Sequence, residues 1–207
     1  MKKLDQLCAT IKRLMGPDGC PWDQKQTLES LLPCLIEETA EVVEAVHEKS
    51  KEDICEEIGD LLFVCIFFCK VAEKEGAFSL EESLEELNAK LIRRHPHVFA
   101  DEKAENIEEV LILWEEVKRK EKLNVVKKIN IPHTLPSLSR AVKLAKYLRR
   151  NEIEVPIEAK DPQQVLAKSI WELCLKAQSE GLDPEIGLRQ VLSHVESVAE
   201  KQQVVNQ

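Results

Sequence analysis

Apolar residues recur along much of this chain at three- and four-residue intervals, the spacing that lines one side of an α-helix. Leu4, Leu7, Cys8, Ile11, Leu14 and Met15 predict a short amphipathic helix from Lys3 to Met15, closed by Gly16-Pro17-Asp18-Gly19. Leu28, Leu31, Leu32, Leu35, Val42, Val43 and Val46 form the core stripe expected of a second helix. A short connector around Glu48 to Lys51 makes the next helix its antiparallel neighbour, with Ser50 suited to cap it. That third helix carries the unbroken apolar run Leu61 to Cys69, which is expected to be buried on every side. Ser79-Leu80-Glu81-Glu82 has the form of a capping box, and it opens a fourth helix with Leu80, Leu84, Leu87 and Leu91 as its stripe and Pro96 as its stop. Asn106 with Glu109 marks the start of a fifth, whose inward face is Val110, Leu111, Trp114 and Val117.

From Val125 the pattern changes. Ile131-Pro132-His133-Thr134-Leu135-Pro136 reads as a connector between domains. Asp161-Pro162 and Asp183-Pro184 each supply an N-cap followed by proline at the first helical position, predicting helices near Pro162 to Ser179 and Pro184 to Lys201. Gln202 to Gln207 is expected to fray. The fold class is therefore all-α, an antiparallel helical bundle with domains over residues 1–124 and 125–207. The apolar surface of Leu61 to Cys69 exceeds what one small bundle covers, so a homodimer or higher homo-oligomer pairing these helices is expected.

The polar positions concentrate chemistry between Thr27 and Asp60. At 100° per residue, Glu37, Glu38, Glu41 and Glu44 fall within roughly a third of a helical circumference. Glu57 and Asp60 stand one turn apart on the following helix. An acidic face opposite an apolar stripe is commonly just wet surface. Asp60, however, directly precedes the apolar run, where a carboxylate calls for a cation, a metal or hydrogen-bond donors, or else for protonation. A hard divalent ion such as Mg²⁺ suits carboxylates offered by two antiparallel helices and bridges them to substrate phosphates.

The formal net charge of -9 argues against a nucleic acid polymer or an anionic membrane as partner, because those ligands call for a basic face. A nucleotide remains open, since a bound cation reverses the local sign. Seven cysteines, an odd count without paired Cys-x-x-Cys spacing, read as reduced and mostly buried thiols. With no apolar leader after Lys2 and Lys3, a cytoplasmic location is expected. Cys20 with His95 and His97 is a weak alternative site, for zinc.

Glu37-Glu38-x-x-Glu41 and Glu57-x-x-Asp60, flanked by Gly19-Cys20-Pro21-Trp22-Asp23 and by Lys90-x-x-Arg93-Arg94-His95-Pro96-His97-Val98-Phe99, resemble the MazG family of all-α nucleoside triphosphate pyrophosphohydrolases. The resemblance runs from about Leu4 to Lys122. It implies hydrolysis of a nucleoside triphosphate to monophosphate and diphosphate, with Glu38, Glu41, Glu57 and Asp60 holding Mg²⁺, for which Mn²⁺ can substitute. Glu37 is the candidate helper that orients or deprotonates water, or else supports a metal ligand.

Lys90, Arg93 and Arg94 share one face at a helix C-terminus, where cations oppose the macrodipole and need no further role. The resemblance gives Lys90 and Arg94, with Arg93 less directly, the triphosphate to hold. For Trp114 it implies a place beside the nucleotide, against core packing, and for Lys118 a phosphate contact. Trp22 has two readings of equal standing, a core plug or a border of the nucleotide site. His95 and His97 are read as fixing the chain reversal.

The tail resembles the second copy of longer family members, with Glu180-Gly181 echoing Glu75-Gly76 and Leu188 echoing Leu84. Lys168 and Val165 stand where acids would be, so this copy is expected to be catalytically silent. Base preference stays open, and so does the choice between house-cleaning of noncanonical nucleotides and broad hydrolysis. Two other classes compete. A carboxylate-bridged di-iron bundle needs two Glu-x-x-His motifs and finds one, Glu44-x-x-His47. A non-catalytic helical interaction module would need no intact acidic set.

Overall fold

In the computed structural model, which describes residues 2–48, 50–121 and 129–205, the chain divides into two compact units, Met1–Asn124 and Val125–Gln207. Among the described residues every regular element is helical. The first unit holds α1 (Lys2–Leu14), α2 (Leu32–Glu48), α3 (Lys51–Lys74), α4 (Leu80–Arg94), the single turn α5 (Pro96–Phe99) and α6 (Ile107–Glu121). The second holds α7 (Ser137–Arg150), α8 (Pro162–Glu180) and α9 (Pro184–Val205). All-α is thus the fold class, as the periodicity predicts.

The predicted start signals are used. Ser50 Oγ accepts from the Asp53 N–H at 3.2 Å and opens α3. Ser79 and Glu82 form the complete capping box of α4, with Glu82 Oε2 accepting from the Ser79 N–H at 2.6 Å and Ser79 Oγ from the Glu82 N–H at 3.1 Å. Asn106 Oδ1 accepts from the Glu109 N–H at 2.9 Å ahead of α6, and Asp161 Oδ1 from the Gln164 N–H at 2.8 Å ahead of α8. Gly19 closes the turn after α1. A Cβ there would collide with the Leu14 carbonyl oxygen, which also accepts the Cys20 N–H at 2.7 Å, so only glycine fits.

The core of the first unit gathers Ile11 of α1, Leu31 before α2, and Ile66, Phe67 and Val71 of α3, with Leu7, Leu28, Phe63 and Leu80 packed against it. Phe63 and Phe67 stack at 5.6 Å. This core lies on the C-terminal half of α3 and leaves the N-terminal half, with Glu57 and Asp60, to the seam with α2.

Several packing expectations fail. Leu28 and Leu31 precede α2, in a turn where the Ser30 and Thr27 side chains bond each other's N–H. Leu32 and Val46 of the expected stripe are exposed, as is Ile36. The run Leu61 to Cys69 buries Val64, Ile66 and Phe67 but exposes Leu62 and Cys65, because α1, α2 and α4 do not enclose α3 on every side. Leu84, Leu87 and Leu91 of α4 and Leu111 of α6 are exposed as well. Of the seven cysteines, all free, only Cys174 is fully buried. No helix among the described residues is long and apolar enough to cross a membrane.

Candidate metal centre

The α2–α3 seam brings three carboxylates together. Glu38 and Glu41 lie one turn apart on α2, Glu57 faces them from α3, and each offers an oxygen within 4.8 Å of the others. Among the described residues this is the one such cluster of metal-ligating side chains. Glu38 is half-buried, and its Oε2 is buried without a hydrogen-bond partner. A buried acceptor left unpaired is costly, and beside two further carboxylates it fits a cation that supplies the missing partner.

The electrostatics carry the same mark. Desolvation raises the Glu38 carboxyl above its usual range, followed by the charges of Glu41, Asp60, Glu57 and Glu37. Glu57 is raised by desolvation first and then by Glu41, Glu56, Asp60 and Asp53. Every charge acting on either group is another acid. The seam is therefore an uncompensated negative site of all-oxygen donors, the donor set that hard divalent ions select.

Asp60 differs from expectation. It is exposed and stands outside the converging triad, although its charge reaches both Glu38 and Glu57. The apolar run that follows it does not bury it: Leu61 is only half-buried and Leu62 is exposed. Glu37 is exposed next to Glu38. The triad contains carboxylates alone, and His47, whose Nε2 is buried without a partner, is not part of it. Cys20, His95 and His97 form no metal-ligating cluster among the described residues.

Of the basic residues, Arg93 and Arg94 meet α6 at the C-terminal end of α4. Lys90 is half-buried and has no hydrogen bond or ion pair among the described residues. Arg93 and Arg94 are both engaged by Glu121, which accepts from Arg93 Nε at 2.6 Å and from Arg94 Nη2 at 2.7 Å. The two guanidinium groups hold the Glu121 carboxyl down at about 2. Sequence reasoning missed Glu121, since a contact between residues 27 and 28 positions apart leaves no local signal.

Trp114 is half-buried on α6 with Lys118 Nζ 4.7 Å from its ring centroid, a cation–π contact. Trp22 is 55% exposed, which removes the core-plug reading. The buried residues of that loop are Asp23 and Gln26, and Gln26 Nε2 donates to the Trp22 carbonyl at 2.9 Å. Lys74 Nζ ties the loop to α3 by donating to the Gln24 carbonyl at 2.7 Å. His95 caps α4, with its Nδ1 2.7 Å from the Leu91 carbonyl oxygen, and lies 5.7 Å from the His97 ring.

With this geometry in place, comparison with known proteins is informative. The MazG nucleotide pyrophosphohydrolase domain matches residues 26–99. A Thermotoga maritima protein named nucleoside triphosphate pyrophosphohydrolase/pyrophosphatase MazG is 39% identical over 180 residues, covering 87% of this chain and 68% of that protein. The chain belongs to the MazG family. An Escherichia coli K12 relative named nucleoside triphosphate pyrophosphohydrolase is 41% identical over 150 residues, which span 70% of this chain and 57% of the relative. The crystal structure of a MazG-related protein from Thermotoga maritima matches with a TM-score of 0.50 at 33% identity, over 56% of this chain and 98% of that one.

The MazG match encloses the carboxylate triad, Glu37, Asp60, Lys90, Arg93 and Arg94, while Trp22, Trp114 and Lys118 fall outside residues 26–99. A cleft of about 690 Å³ in the second unit, lined by Pro156, Ile157, Glu158, Lys160, Lys168 and Trp171 among others, contains none of these groups.

Proposed function

We propose that this chain is a divalent-metal-dependent nucleoside triphosphate pyrophosphohydrolase that cleaves between the α- and β-phosphates to release monophosphate and diphosphate. The observation that carries the reading is the convergence of Glu38, Glu41 and Glu57 around the unpartnered Oε2 of Glu38. These three residues would hold Mg²⁺, with Mn²⁺ as substitute, and Asp60 would complete the set from its exposed position. A bound cation neutralises phosphate charge and makes water a better nucleophile at neutral pH. Glu37, exposed beside Glu38, is the group available to orient that water or take its proton.

Lys90 and Arg94 bind the outer phosphates. Trp114 and the exposed Trp22 offer aromatic faces for the base, and Lys118 offers a further phosphate contact.

We further read the enzyme as a cytoplasmic homodimer. Exposed Leu62 on α3 and Leu84, Leu87 and Leu91 on α4 form apolar faces that a second copy would cover. The second unit reads as a silent second copy, since Lys168 and Val165 stand where a functional copy would carry its acids. A house-cleaning role toward noncanonical nucleotides is the biological setting we favour.

The test is diphosphate release from a panel of nucleoside triphosphates, with and without Mg²⁺, on wild type, Glu38→Gln and Asp60→Asn. Metal-dependent diphosphate release, reduced at least about a hundredfold by Glu38→Gln, is expected. Orthophosphate as the sole product would refute the bond assignment.

A further inference from the structure

Glu121, the last described residue of α6, reaches across to the C-terminal end of α4 and engages two consecutive arginines with one carboxylate. Its Oε1 accepts from Arg93 Nε at 2.6 Å, and its Oε2 accepts from Arg94 Nε at 3.2 Å and Arg94 Nη2 at 2.7 Å. The two arginines are not equivalent. The Arg93 side chain is 53% exposed, the setting in which an ion pair is worth little, whereas that of Arg94 is 24% exposed.

Arg94 is held side-on. The edge that Glu121 occupies is the one formed by Nε and Nη2, and all hydrogen bonds and ion pairs of Arg94 among the described residues go to Glu121. A guanidinium is planar and presents its five N–H donors in a rigid fork, so fixing one edge fixes the direction of the other. Among the described residues the end edge, where Nη1 lies, has no protein partner.

We propose that Glu121 is a positioning residue for the phosphate subsite, bracing Arg94 side-on so that its end edge is presented to the polyphosphate of the substrate. This rests on the reading above that Arg94 meets phosphate. Two effects of the carboxylate oppose each other. Its charge lowers the positive potential felt by an anion, which weakens binding. Its two contacts remove the rotamer freedom that a long unbraced side chain gives up when it binds, which strengthens it. Simple neutralisation thus predicts tighter substrate binding once Glu121 is lost, and bracing predicts weaker binding. The sign of one measurement separates them.

The experiment is steady-state kinetics of diphosphate release with a Mg²⁺–nucleoside triphosphate, comparing wild type, Glu121→Ala, Glu121→Gln, Arg94→Ala and the Arg94→Ala/Glu121→Ala double variant. Arg94→Ala and Glu121→Ala are each expected to raise KM about tenfold with a smaller change in kcat. Glu121→Gln, which keeps an acceptor oxygen at the same reach, recovers part of the loss. In the Arg94→Ala background, removal of Glu121 adds little, as required of a residue acting through Arg94.

A KM that is unchanged or lowered in Glu121→Ala, while Arg94→Ala raises it, overturns the bracing role and leaves the phosphate role of Arg94 standing. Full additivity in the double variant overturns it too. An Arg94→Ala enzyme with wild-type KM removes the phosphate reading itself, and the inference falls with it. Should Glu121→Ala not fold, the KM of Glu121→Gln decides: a rise supports bracing, and a fall or no change overturns it.

Discussion

Glu38 on α2 and Glu57 on α3 offer carboxylate oxygens within 4.8 Å of each other, and the charges that act on both are other acids. Two helices so joined repel unless a cation lies between them. Mg²⁺ should therefore stabilise the folded chain without any nucleotide, by about 2.7 kcal/mol at a hundred times its Kd. Thermal melts with and without Mg²⁺ check this, and the shift should disappear in Glu38→Gln and Glu57→Gln. A wild-type melting temperature indifferent to Mg²⁺ and Mn²⁺ would sink the metal assignment.

Lys90 is half-buried on the α4 face that ends at Arg94, and it has no ion-pair partner among the described residues. Lys90→Ala should raise KM for the triphosphate about tenfold while leaving the Mg²⁺-induced thermal shift intact. Saturation curves that superimpose on wild type would exclude the phosphate contact.

Glu121 is held at about 2, against an ordinary 4.5, by Arg94 and then Arg93. A carboxyl depressed in the folded state contributes stability that is present above its unfolded value and is lost as pH falls through the folded one. Denaturation of the first unit should thus ease between about pH 4.5 and 2, and Glu121→Gln should flatten that part of the profile. Glu38 and Glu57 have the opposite sign: their raised carboxyls favour the metal-free fold below about pH 4.5, and that contribution fades as pH rises through their folded values. Urea midpoints measured across the acid range separate the two trends.

The capping box of α4 ties Ser79 to Glu82 in both directions. Ser79→Ala should cost about 1 kcal/mol by chemical denaturation. Because Lys90 and Arg94 lie at the far end of the helix, kcat/KM measured well below the melting transition should stay within about twofold. A larger kinetic loss at full folding would tie the N-terminus of α4 to the site.

Leu62 of α3 is 52% exposed, and Leu84, Leu87 and Leu91 of α4 are each more than 40% exposed. Light scattering at micromolar concentration should give the mass of at least two chains, and Leu62→Asp should shift the population toward one. A monomeric wild type at that concentration would contradict the dimer.

The sequence by itself determined most of the helices and several of their starts, though not α5 or α7, and it placed Leu28 and Leu31 within α2, which begins at Leu32. Ser50, the Ser79 and Glu82 box, Asn106 and Asp161 each act on backbone donors three residues away, so their signals survive in a linear reading. It also determined that Glu38 and Glu41 share a face, because a helical turn brings i and i+3 together. Tertiary structure alone decided what crosses between helices. It drew Glu57 up to that pair while leaving Asp60 in solvent, turned Trp22 outward where a core plug was one expectation, and closed Glu121 onto Arg93 and Arg94. The apolar run of α3 shows why: periodicity fixes which residues lie on the same face, but which face finds a neighbour depends on where the other helices pack.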